Sequence, residues 1–275
     1  MKKQVLEFPV GTYKGEVKNN LPHGKGIMNF KSGDKYEGTF LKGLRHGKGK
    51  DEFHTGDKYV GNYKNGFPHG QGTYTWSNGD KYIGNHSEGF RSGKGKEILH
   101  NGESYVGNFK LNEREGKGTC IYINGDKYIG EFIGSKRNGK GIYYIKMYNE
   151  KYEGDFVEDM RHGKGVYTYS KRSPAKKYIG DFRNEVKNGF GTVTYRDGSK
   201  YSGEFKNGKF DGEGTFVSKG ETIKGRWSEG NFVEWHLRGF KEDFRYTNRN
   251  SLNKINAHLL AYLSIFLIQF KEELV

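Results

Sequence analysis

The chain has little of what usually closes a protein core. Of 275 residues, one is cysteine, four are proline, four methionine and three tryptophan, and only 32% are hydrophobic. A single thiol, Cys120, excludes an internal disulfide framework and a cysteine-based zinc site. That usage fits a reducing compartment. The N-terminal MKKQVLEFPV has two lysines with no apolar run behind them, so no secretory signal is expected there. Hydrolase elbows, kinase signatures and paired-carboxylate clefts are also missing. The chain is therefore read as no enzyme, with no catalytic residue, cofactor or metal.

What is present is glycine, 43 residues, and aromatic rings, 15% of the chain, with a formal net charge of +14. Low apolar content with this much charge reads as disorder in a chain without regular spacing. Here the rings recur. Residues 36–58, YEGTFLKGLRHGKGKDEFHTGDK, are followed by YVGNYKNGFPHGQGTYTWSNGDK at the same offsets. With the leading Tyr as position 1, copies open at Tyr13, Tyr36, Tyr59, Tyr82, Tyr105, Tyr128, Tyr152, Tyr178 and Tyr201, and a degenerate tenth opens at Ile223. Position 3 is Gly in all ten copies, and positions 12 and 14 are Gly in the nine full ones. Position 5 is an aromatic ring in most copies, with Val17 and His86 as departures.

Within each copy, positions 1, 3 and 5 alternate, as do 12, 14, 16 and 18. Alternation puts side chains on one face of a strand. Segments such as KNGFPH and NGDK supply Gly and Asn for hairpin turns. Each copy is therefore expected to be one antiparallel β-hairpin. The fold class is all-β, a single-layer elongated array, with rings packing over glycines on one face. At ~4.8 Å per strand the array would be a rod of about 90 Å. Positions 2, 4, 13, 15 and 17 form the opposite face, charged or β-branched and solvated.

These copies resemble the MORN repeat, the membrane occupation and recognition nexus motif, over residues 13 to about 234. The resemblance implies a non-catalytic protein-interaction scaffold. Its relatives include ciliary radial-spoke head proteins, cytoskeletal scaffolds and membrane-junction proteins. Implied partners are cytoskeletal or axonemal subunits, with homodimerisation through the array ends as another possibility. Implied localisation is cytoplasmic, at the cytoskeleton, with a cilium or axoneme foremost. The alternative is a phosphoinositide-binding adaptor using Lys48, Lys94, Lys117, Lys140 and Lys164 at position 13. Nucleic acid is not an expected partner.

The paired glycines invite a phosphate-loop reading, but that loop needs a helix after it, and here a strand follows. Rings over glycine are expected to explain all nine pairs. His23, His46, His69 and His162 share position 11. Copies about 9–10 Å apart cannot place two of them on one ion. His86 is read as a packed ring and Cys120 as a buried, inert thiol.

Three segments follow: 1–12 as an edge or capping strand region, 13–234 as the array, and 235–275 as a helical tail. Ser251 would cap a helix through residue 274 whose face carries Leu259, Tyr262, Phe266 and Phe270. The apolar stretch 257–270 is about 21 Å long as helix, short of a ~30 Å hydrocarbon core. It either caps the last sheet edge or contacts another chain. Extra rings at Tyr74, Trp76, Tyr143 and Tyr167 mark a partner groove for an extended peptide or a helix. Copies six and seven carry altered turns. The second, YSKRSPAKK, offers Lys171, Arg172, Lys176 and Lys177 as a basic docking loop, or is a tolerated insertion.

Overall fold

A computed structural model of the chain describes residues 2–235. The expected helix and its residues Leu259, Tyr262, Phe266 and Phe270 lie outside them. Every element among the described residues is a β-strand, sixteen of them in one unit ending at Glu185 and five in a second unit beginning at Val186. The expected single-layer, all-β antiparallel architecture is what forms.

In the first unit, β1 (Lys2–Phe8) pairs with β2 (Gly11–Lys18), so the N-terminal segment supplies an edge strand. Each later strand pairs antiparallel with the next. Thus β4 (Lys35–Leu41) pairs with β5 (Leu44–Glu52), and Lys42 and Gly43 between them both have positive φ, 50° and 85°. Such turns match the twist of the strands they join. The second unit runs β17 (Val186–Tyr195), β18 (Lys200–Lys206), β19 (Lys209–Ser218), β20 (Glu221–Ser228) and β21 (Asn231–Trp235).

The two glycines of each GxG pair have different causes. At position 14 the leading ring lies directly on the backbone. A Cβ on Gly141 would overlap the Tyr128 ring, and one on Gly130, at position 3, would meet the Tyr128 hydroxyl and the Gly141 backbone. Position 12 is another matter, and the expectation that rings explain both members is corrected here. All nine glycines there have positive φ, from 58° at Gly163 to 106° at Gly189. They sit at β-bulges where the ladder register shifts, as between Gly38 and Phe40. The space beside Gly47 belongs to Thr39, not to a ring.

The bulge also explains why position 1 is Tyr rather than Phe. Its hydroxyl donates to the position-4 carbonyl at the bulge, as Tyr82 to Asn85 O at 2.8 Å and Tyr128 to Glu131 O at 3.0 Å. The same bond occurs in all nine copies.

The core is a one-dimensional herringbone. Tyr128 meets Phe132 of its own copy and Phe156 of the next, edge to face, with centroids 5.1 Å apart in both cases. All nine leading tyrosines are fully buried. Edge-to-face contact is the preferred geometry of ring quadrupoles. Within the first unit this packing closes a face that a lone sheet would leave open.

Both edges are stapled from copy to copy. On one, the turn amide at position 8 bonds to the position-10 carbonyl of the preceding copy, as Gly66 N–H to Arg45 O at 2.9 Å. On the other, the position-22 carboxylate accepts the backbone N–H of the next turn: Asp57 from Ser77 at 2.8 Å and Asp126 from Lys146 at 2.9 Å. These bonds hold the Asp57 and Asp80 carboxyls below their ordinary range, and Asp34, bonded by the His54 amide and ring, sits at about 2.

Candidate interaction face

Alternation brings positions 1, 5, 16 and 18 to one face. Positions 1 and 5 are sealed in the herringbone, so what this face offers outward comes from 16 and 18. Tyr74, Trp76, Tyr143 and Tyr167 are all half-buried there. The structure does not gather them into one groove. Tyr74 and Trp76 touch, with centroids 4.6 Å apart, and Phe53 stacks on Tyr74 at 6.1 Å. Tyr143 lies beside Tyr122 at 5.9 Å, and Tyr167 beside Tyr169 at 4.8 Å. The result is three ring patches along the face.

Each patch is oriented by its hydroxyls and by arginine. Tyr74 donates to Asp57 at 3.0 Å, Tyr143 to Asp126 at 2.7 Å, and Tyr167 to Glu150. Burial and the bonded carboxylate push the Tyr74 and Tyr143 phenols up to about 12. The Arg137 guanidinium lies 4.9 Å from the Tyr143 centroid, and Arg161 lies 5.3 Å from that of Tyr167. Cation–π contacts of this kind stiffen a ring while leaving one side of it to solvent.

Between the first two patches lies an ionic cluster that the sequence reading missed. Arg114 Nη2 reaches Glu97 at 2.6 Å, and Arg91 Nη1 binds the other carboxylate oxygen. Burial pushes Glu97 up, but the bonds from both arginines outweigh it and hold the carboxyl below its usual range. A second pair, Arg45 and Asp51 at 2.6 Å, takes a further bond from the Tyr63 hydroxyl at 2.8 Å. The available signal was a column: Arg45, Arg91, Arg114, Arg137 and Arg161 all fall at position 10. Cys120 is buried beside Arg114, and burial pushes its thiol up.

His86 is a packed ring, between Tyr59 at 5.0 Å and Tyr82 at 5.1 Å. Burial lowers its pKa to about 4. An unfolded histidine titrates near 6.5, so between pH 6.5 and 4 only the unfolded state takes up the proton. The chain should therefore lose about 2 kcal/mol from this group as pH falls through that window. His86→Phe is expected to flatten the dependence. Urea midpoints at pH 7 and 4.5 check this, and an unchanged slope would contradict it.

Of the basic loop residues, Lys171 and Arg172 are exposed in the turn, whereas Lys176 and Lys177 belong to β16 (Ala175–Arg183), where alternation sends them to opposite faces.

The repeats are matched by the MORN repeat family model at residues 13–35, 36–58, 59–81, 82–104, 105–127, 128–149, 152–173, 178–200 and 201–220. The chain belongs to the MORN repeat family. No curated protein sequence matches the array. Among solved structures, the MORN array is similar to the wild-type TCP10 domain of Danio rerio CPAP at 8% identity and TM-score 0.33, covering 82% of this chain and 100% of that one. It is also similar to the SAS-4 (dCPAP) TCP domain of Drosophila melanogaster, solved with a proline-rich motif of Ana2, at 8% identity and TM-score 0.28, covering 81% and 88%. Scores this low do not bear on function.

Proposed function

We propose that this MORN array is a non-catalytic scaffold at the cytoskeleton, in a cilium or axoneme, that holds a peptide or helix of a partner protein on its ring face. One observation carries the reading. Trp76, Tyr74, Tyr143 and Tyr167 are large rings, half-buried and fixed by carboxylates and arginines, on a face whose leading tyrosines and position-5 rings are sealed. Rigid, partly exposed aromatic side chains beside arginine are the common anchors of protein interfaces. The phosphoinositide alternative is weakened by Lys140 and Lys164, which are already paired with Asp155 at 2.5 Å and Asp181 at 2.6 Å.

The test is affinity capture of the native partner with purified variants. Trp76→Ala or Tyr167→Ala should weaken capture at least tenfold while thermal unfolding stays cooperative. Lys48→Glu should change it only slightly. Loss on the lysine change with no effect of the ring changes would favour the anionic-surface reading instead.

A further inference from the structure

The face opposite the rings has its own pattern. Take strands β8 (Lys81–Ser87), β9 (Phe90–Ile98), β10 (Ser104–Lys110), β11 (Glu113–Ile121) and β12 (Lys127–Ile133). Registered side by side across them are Ile83, Lys96, Val106, Thr119 and Ile129. The aliphatic members of this row are open to solvent: Ile83 is 43% exposed, Val106 53% and Ile129 37%. Val60, 52% exposed, continues it on the side of earlier copies.

The charge around this row is unbalanced. Elsewhere on the face several lysines are neutralised locally: Lys35 by Glu37, Lys50 by Glu52, Lys151 by Glu153, and Lys140 and Lys164 as above. Among the described residues, Lys81, Lys94, Lys96, Lys117 and Lys127 make no ion pair. The carboxylates in the central and flanking rows of these five strands are Glu131 and, opposite Asn108 at the bulge, Glu115, which accepts from the Gly134 amide at 3.4 Å.

We infer that this reverse face is a second docking surface, for an acidic amphipathic α-helix of a partner protein. The flanking rows, positions 0 and 4 of each copy, are four residues apart along the strand, about 13 Å. A helix is 10–12 Å across, so it fits between them with its apolar ridge on the aliphatic row and its carboxylates toward the lysines. The side-chain lengths favour a ridge over a flat bilayer. Short β-branched side chains lie recessed between long lysines, so a planar surface meets the ammonium heads before any aliphatic group. A helix laid across five strands would engage about 19 Å, roughly 13 residues. The ring face plays no part in this, so the scaffold has two independent faces and is suited to bridging two partners.

The test uses the full chain and a fluorescent 21-residue synthetic helix with Leu and Ile at heptad a and d and Glu at e and g, which also keeps the peptide from self-pairing. Anisotropy should show saturable binding. The same helix with Lys at e and g should bind at least tenfold more weakly. Val106→Glu with Ile129→Glu, both at exposed positions, should weaken binding at least tenfold without lowering the melting temperature. Lys94→Glu with Lys117→Glu should reverse the preference towards the Lys helix, and Trp76→Ala should leave binding unchanged. The inference is overturned if the Glu helix fails to bind, if it binds no better than the Lys helix, or if Trp76→Ala abolishes binding. It is equally overturned if phosphatidylcholine–phosphatidylserine vesicles bind through this patch and the helix does not.

Discussion

Gly130→Val is expected to destabilise the array by about 3 kcal/mol, at the upper end of overpacking in a well-filled core. The added atoms would meet the Tyr128 hydroxyl and the backbone of Gly141 at once. The backbone belongs to a paired strand and cannot swing aside as a flexible side chain would. The loss should spread through copy six and into copy seven, because Tyr128 also packs on Phe132 and Phe156. Gly139→Asn is the control. Gly139 has φ 73°, and the atoms nearest to an added Cβ belong to the flexible Glu131 side chain. Asn tolerates that conformation, so its cost should be a small fraction of the valine's. Urea unfolding measures both, and equal costs would mean that ring packing is not what position 3 protects.

Glu97→Ala should cost about 3 kcal/mol, for a different reason. It leaves Arg91 and Arg114 partly buried without a counter-charge, and breaking such a cluster is much worse than never having had it. Arg91 keeps its bond to the Asn112 carbonyl, which limits the damage. Replacing Glu97, Arg91 and Arg114 together by leucine should recover most of the loss. Chemical denaturation of both variants checks this. A shift under ~0.5 kcal/mol for Glu97→Ala would show that the guanidiniums are adequately solvated.

The hairpin array was legible because two signals agree. Alternation at positions 1, 3 and 5 names the strands, and paired Gly or Asn names the turns. Position 14 was legible too, since a ring over glycine follows from that alternation. Position 12 was not. Its glycine answers to a positive φ at a bulge, and a bulge breaks the very periodicity from which faces are read. The preference for Tyr over Phe at position 1 stayed unexplained for the same reason, because the carbonyl its hydroxyl meets exists only where the ladder slips. Asp34, Asp57, Asp80 and Asp126 each follow the Gly of a turn, which alternation and turn chemistry show, but their reach into the next copy is a tertiary fact. For the site, alternation placed Tyr74, Trp76, Tyr143 and Tyr167 on the right face. It could not tell that Glu97 and its arginines separate the first patch from the second.

The central claim is that partner proteins are held by the half-buried ring patches while the herringbone beneath serves packing alone. Photo-crosslinking from p-benzoylphenylalanine, introduced singly in native cells at Trp76, Tyr143, Tyr167 and the fully buried Tyr105, tests it most directly. The account predicts crosslinks to the same partner polypeptide from positions 76 and 167, and at most crosslinks within the chain itself from position 105. Absence of any intermolecular protein adduct from positions 76, 143 and 167, or adducts with lipid alone, would contradict it.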